Sequence, residues 1–144
     1  CLVLTDIFVF YIKSIMMERK MAIAGSFLGL TAIILGAFGA HALKTKLSID
    51  QLSSFETGVK YQMYHALLLL TLSFYSNISE KIKKIVFYLV VFGVLLFSVS
   101  IYLLATRPIS GLELNFLGPI TPIGGLLLIL AWTLLMLHFI KKKV

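Results

Sequence analysis

The sequence is short of charge and almost without cysteine. Only 13% of its 144 residues are charged, against about 25% in a soluble globular domain. Acidic residues are scarcer than basic ones, six against thirteen. The single cysteine, Cys1, excludes an intrachain disulfide and a metal site built from thiolates. No Ser-His-Asp set, no HExxH and no phosphate-binding glycine loop stands in the chain, so the familiar enzyme signatures are missing. With three prolines, long runs go uninterrupted by helix breakers.

What is present is apolar. Hydrophobic residues make up 60% of the chain and the mean hydropathy is +1.02. A helix needs about 20 apolar residues to cross a bilayer, and several such runs fit. The composition therefore implies a small all-α polytopic membrane protein whose partner is the lipid bilayer. The formal charge of +7 does not point to nucleic acid. The lysines and arginines stand in short clusters at the ends of apolar runs, where they act as orientation signals.

Residues 1–16 stand apart. Leu2–Ile12 is apolar but short, interrupted by Asp6 and followed by Lys13. Three readings compete: an extension upstream of a native start at Met16, Met17 or Met21, a lipoprotein with Cys1 exposed by processing, or a short interfacial or signal-like helix. The first is preferred, leaving residues 17–144 as one domain.

The first span is expected over Met21–Leu43. Gly25 and Gly29 form a GxxxG pair, and Ala32, Gly36, Gly39 and Ala40 extend the small-residue ridge. In lipid, close backbone approach across small residues supplies the packing, and packing within the bundle is the preferred reading over a dimer motif. After the polar link Lys44–Leu47, Ser48 and Gln51 have capping-box spacing and mark a helix start. Leu52, Phe55, Val59 and Met63 form one apolar stripe, and Glu56 and Lys60 make a favourable i,i+4 pair. The spacing predicts an amphipathic turn over Ile49–Lys60 at the membrane surface, leading into a second span through Tyr61–Tyr75. Glu80–Lys84 reads as a basic loop, and a third span is expected over Ile85–Thr106, stopped by Arg107-Pro108. A loop over Ile109–Leu117 with Glu113 and Asn115 follows. Thr121 and Pro122 suit the N-cap and first position of the fourth span, with Gly124 and Gly125 admitting a close neighbour. That span runs to about Ile140 and contains Trp132.

With four spans, eight lysines and arginines fall on one side and four on the other, which predicts both termini in the cytoplasm. The same topology brings polar residues to one expected cluster at the outer end of the bundle: His41, Glu56, Tyr61, Gln62, His65, Ser98, Tyr102 and Thr121. Polar groups at membrane depth are costly unless paired or lining a cavity, so they are expected to face inward.

Four linked stretches resemble one family. They are Leu35–Leu43, Phe55–Ala66, Leu96–Leu103 and Ile120–Gly125 with Trp132, and they look like the small bacterial membrane proteins called domain of unknown function 423 (UPF0382 type). The likeness covers about Met17 to Lys143. The family pattern has Gly-Ser where Val99-Ser100 stands here. The resemblance implies a four-helix protein of the bacterial inner membrane and implies no activity.

Four functional readings follow. In a structural or interaction protein, with a homo-oligomeric or membrane-protein partner, the polar cluster is glue between helices. In a binding or transport module, His65, Glu56 and Tyr61 hold a small ligand, a lipid headgroup or a proton. Haem or metal ligation by His41 and His65 is a third, and acid–base catalysis by Glu56 with His65 a fourth. The first is preferred, with no cofactor expected.

Overall fold

Four long helices take up most of the computed structural model, which describes residues 2–111 and 114–141. Helix α1 (Leu2–Phe38) ends in a π-helical turn, Gly39–Leu43. Helix α2 covers Ile49–Phe74. Helix α3 runs from Glu80 to Ala105 and contains a π turn at Leu95–Val99. A short helix α4 (Arg107–Ser110) and a 3-10 turn (Asn115–Leu117) lead to α5 (Ile120–Lys141). Glu113 and the terminal residues Cys1, Lys142 and Lys143 lie outside the described residues.

Among the described residues three segments are long and apolar enough to cross a membrane: Ser14–Leu43, Glu80–Ala105 and Ile120–Lys141. Helix α2 has the length but not the hydropathy. It carries Asp50, Glu56, Lys60, Gln62 and His65 in its first seventeen residues, and each lowers the mean. Its apolar run Leu67–Leu70 comes after them.

Local chemistry sets the helix ends. The Ser48–Gln51 capping box forms as its spacing predicts, with Gln51 N–H on Ser48 Oγ and Ser48 N–H on Gln51 Oε1. Each side chain thereby satisfies a backbone donor that has no intrahelical partner. Ser79 caps α3 with a single such bond, its Oγ accepting from the Ile82 N–H. Glu80–Lys84 is therefore the first turn of α3 and not a loop. Ile49–Lys60 and Tyr61–Phe74 form one continuous helix. Thr121 lies inside α5, which already begins at Ile120. Leu2–Ser14 continues the first span without a break instead of forming a separate short helix.

Small residues decide which helices touch. A Cβ at Gly25 would stand 2.8 Å from the Ala66 carbonyl oxygen, and one at Gly39 3.2 Å from the Phe55 ring. The ridge of α1 thus packs against α2 of the same chain. On the other side, a Cβ at Gly124 would stand 2.3 Å from the Phe97 nitrogen, and one at Gly93 2.5 Å from Leu128 Cδ2. Helices α3 and α5 therefore meet backbone to backbone. Helix α3 also touches α1 and α2. Helices α2 and α5 stay apart: among the described residues no Cα of one comes within 8 Å of a Cα of the other. The main core joins Met21, Leu69, Val86, Val90, Leu128 and Ala131; a second, around Phe55, Tyr102 and Leu43, fills the opposite end.

Candidate functional site

Gln62 joins three helices. Its side chain is 4% exposed. Nε2 donates to the Leu28 carbonyl oxygen at 2.9 Å and to Thr31 Oγ1 at 2.7 Å, both on α1. Oε1 accepts from the Tyr102 hydroxyl of α3 at 2.9 Å. The Leu28 carbonyl can only accept, so the orientation of the amide is fixed by chemistry. Thr31 passes its own proton back to the Phe27 carbonyl oxygen at 2.8 Å. A buried amide costs free energy unless hydrogen-bonded, and here both N–H groups and the carbonyl have partners. Gly58 makes room for the Tyr102 ring: a Cβ there would lie 2.7 Å from Tyr102 Cε1.

One turn further along α2, His65 is 3% exposed. Its Nδ1 lies 2.7 Å from the Tyr61 carbonyl oxygen. That oxygen only accepts, so Nδ1 carries the proton. Nε2 is then free to accept from Trp132 Nε1 of α5 at 3.2 Å. These two bonds fix a neutral imidazole. Trp132 is 51% exposed, so one part of the indole holds His65 while the rest faces the gap between α2 and α5.

That gap is a cleft with two adjoining lobes. One, of about 520 Å³, is lined by Tyr61, His65, Phe97, Gly125 and Trp132. The other, of about 640 Å³, is lined by Tyr64, Leu68, Thr71, Tyr75, Trp132 and Phe139. Tyr61 packs on Phe97 with ring centres 5.0 Å apart, and Tyr75 meets Phe139 edge-on at 5.9 Å. The walls are apolar and aromatic, with three phenols and the indole as polar edges.

The expected outer cluster divides. Gln62 and Tyr102 come together near the α3 end at Ala105, while His65, beside Tyr61, meets Trp132 deeper in the bundle. Trp132 is twelve residues into α5, about 18 Å along the axis. Ser100 and Thr121 form a separate contact, with hydroxyls 2.7 Å apart, and Ser100 thereby joins the polar residues expected from the sequence. Ser98 is fully buried, and its Oγ has no hydrogen-bond partner among the described residues. Glu56 pairs with Lys60 at 3.8 Å on the surface. His41 is exposed and stands ten residues beyond Thr31, about 15 Å further along the α1 axis. The two nitrogens of His65 are engaged by the Tyr61 carbonyl oxygen and Trp132. Among the described residues no three His, Cys, Asp or Glu side chains gather to hold a metal. Val99, at the departure from the family pattern, is 37% exposed, so its side chain points away from the packed face.

Two partners escaped sequence reasoning. Trp132 was legible as a motif residue but not as the donor to His65. Lys83 reads in the sequence as part of the basic loop Glu80–Lys84, yet it is 2% exposed, with Nζ 2.7 Å from Glu18 Oε1 of α1. The available signal was spacing: Lys83, Val86, Val90 and Gly93 lie on one helical face. The bond also places Glu18, sixteen residues into α1, beside the start of α3, at the end of the bundle where His138 Nε2 approaches the Asn77 carbonyl oxygen at 3.4 Å.

The fold and this buried network define a helical integral membrane protein. The chain belongs to the family described as protein of unknown function DUF423, whose model matches residues 35–125. It is 40% identical to a UPF0382 membrane protein of Staphylococcus saprophyticus over 123 residues, which is 85% of this chain and 98% of that one. It is 38% identical to the UPF0382 membrane protein YwdK of Bacillus subtilis over 125 residues, 85% and 98% of the two chains. A UPF0382 membrane protein of Haemophilus influenzae is 33% identical over 127 residues, 88% and 98%. No solved structure matches.

Proposed function

We propose that this protein is a four-span structural or interaction module of the bacterial inner membrane, with both termini cytoplasmic. The carrying observation is the use of Gln62. Its hydrogen-bonding groups are taken by α1 and α3, which is what glue between helices requires and what an open catalytic or transport site does not. Reading α2 as the fourth span is supported by its polar side chains facing its own neighbours, since polar groups buried in protein are tolerated at membrane depth. The cytoplasmic placement is supported by the clustering of Arg19, Lys20, Lys81, Lys84 and Lys141 at the end marked by the Glu18–Lys83 bond.

Replacing Lys46 or Lys81 with cysteine and labelling intact cells with a membrane-impermeant thiol reagent tests the topology. Labelling at Lys46→Cys alone supports it, and the reverse pattern overturns it. For the network, Gln62→Leu should lower thermal stability without altering the set of lipids and small molecules that co-purify in mild detergent. A changed set would instead favour a binding role.

One observation supports a second reading. The cleft between α2 and α5 is spacious, lies at membrane depth, and has phenol and indole groups at its edges. An amphiphilic ligand with a long apolar body fits that chemistry, lying against Tyr64 and Trp132. A species bound to wild type and missing from Trp132→Ala would favour it over the structural reading.

A further inference from the structure

The end of the bundle marked by Glu18 and Lys83 carries a pocket that the Gln62 network and the cleft do not use. It has a volume of about 510 Å³ and lies between α1 and α3, lined by Met16, Met17 and Lys20 from one and Glu80, Lys81, Lys84 and Tyr88 from the other. Lys81, Lys84 and Tyr88 are spaced i, i+3, i+7 and share a face of α3. Lys20 points in from α1.

The electrostatics favour an anion. Three ammonium groups face one carboxylate, Glu80, so the pocket is net positive. Among the described residues none of the three lysines forms an ion pair; the ion pairs present are Lys60–Glu56 and Lys83–Glu18. Glu18, the other nearby acid, is bound by the buried Lys83 at 2.7 Å, so its charge is largely cancelled and does not oppose an incoming anion.

The apolar side selects among anions. Met16 and Tyr88 are half exposed, and the Tyr88 ring stacks on that of Phe92 with centres 6.3 Å apart, one turn deeper along α3. Ile85, beside Lys84 at the mouth, and Phe92, one turn beyond Tyr88, extend the exposed apolar surface. The pocket thus has a cationic mouth on a track of apolar and aromatic side chains leading toward hydrocarbon. A water-soluble anion uses the mouth alone. A phospholipid uses both, since its phosphate sits at the depth where lysines flank a span and its chains lie along the helix.

We propose that Lys20, Lys81 and Lys84 bind the phosphate of an anionic phospholipid, with Tyr88 against the start of its acyl chains. The test is native mass spectrometry of the full chain in neutral detergent. It is titrated with dimyristoyl phosphatidylglycerol or with dimyristoyl phosphatidylcholine, which has the same chains and no net charge. Phosphatidylglycerol should bind in clear preference. Each lysine near a membrane surface contributes about a fivefold change in affinity, so Lys20→Gln with Lys84→Gln should weaken phosphatidylglycerol binding roughly 25-fold. The Lys20→Arg, Lys84→Arg pair should retain it, as should Lys46→Gln at the far end. Equal binding of the two lipids to the unaltered chain overturns the proposal whether or not any variant folds. So does a Gln pair that binds as the unaltered chain does. Displacement of phosphatidylglycerol by millimolar inorganic phosphate would mark the mouth as a free-phosphate site and also overturn it.

Discussion

Trp132 Nε1 donates to His65 Nε2 at 3.2 Å, across a gap in which the backbones of α2 and α5 never meet. Trp132 is the one tryptophan of the chain, so its fluorescence reads this bond directly. His65→Ala should shift the emission to shorter wavelength, because the indole N–H loses its partner in apolar surroundings. Trp132→Phe should lower stability by about 0.6–1.7 kcal/mol, the range for hydrogen bonds between membrane helices. An unchanged emission spectrum in His65→Ala would argue that the bond is not formed.

Gln62 and Tyr102 should be energetically coupled. Gln62→Leu removes the acceptor of the Tyr102 hydroxyl and strands that group in a buried position, at a cost of about 1–3 kcal/mol. Tyr102→Phe alone should cost less, since Gln62 keeps its two bonds to α1. A double-mutant cycle by thermal or denaturant unfolding in detergent should give a coupling of at least about 0.5 kcal/mol. Strict additivity would place the two residues in separate networks.

The two ends of the Glu18–Lys83 pair are not equivalent. Lys83 is 2% exposed and Glu18 31%. Glu18→Gln leaves an uncompensated charge inside the protein, whereas Lys83→Met leaves a carboxylate that water can reach. Removing one partner of a fully buried pair costs about 3–5 kcal/mol. Glu18→Gln should approach the lower part of that range and Lys83→Met should cost clearly less. Combining Lys83→Met with Glu18→Leu should recover most of the loss. Melting temperatures of the three variants check the order.

The glycines should separate by position. Gly124→Ala drives a methyl into the backbone of Phe97 and Leu96, at 2.3 Å and 2.6 Å, where nothing flexible can yield. Overpacking of this kind costs about 1–3 kcal/mol or more, and α3 and α5 should separate. Gly29→Ala meets only the Ala66 Cβ, at 3.8 Å, an ordinary contact, and should be neutral or slightly stabilising because alanine favours helix. Thermal unfolding of the two variants side by side is the measurement.

The cap of α2 and the small-residue ridge of α1 were legible because each rests on short spacing within one segment. The Ser48–Gln51 cap follows from three-residue spacing, and the ridge from Gly25 to Gly39 from steps of three and four residues. Thr121 misled because Thr-Pro is a good helix start in isolation, while here its hydroxyl meets Ser100 on α3. Lys83 misled because lysines beside an apolar run usually flank the membrane, and the burial of this one depends on a carboxylate sixty-five positions away.

By itself the sequence determined the class of protein: the scarcity of charge and the length of the apolar runs leave an all-helical chain in a membrane. It also marked the residues that matter, since polar groups on an apolar helix must find partners. Which partners they found was decided by tertiary structure alone. Gln62 went to Leu28, Thr31 and Tyr102, His65 to Trp132, and the lysines of α1 and α3 to one pocket. Helical periodicity fixes the face on which a side chain lies. The depth and rotation at which helices meet are set by close approach at Gly25, Gly93 and Gly124, and that depends on shapes from distant parts of the chain.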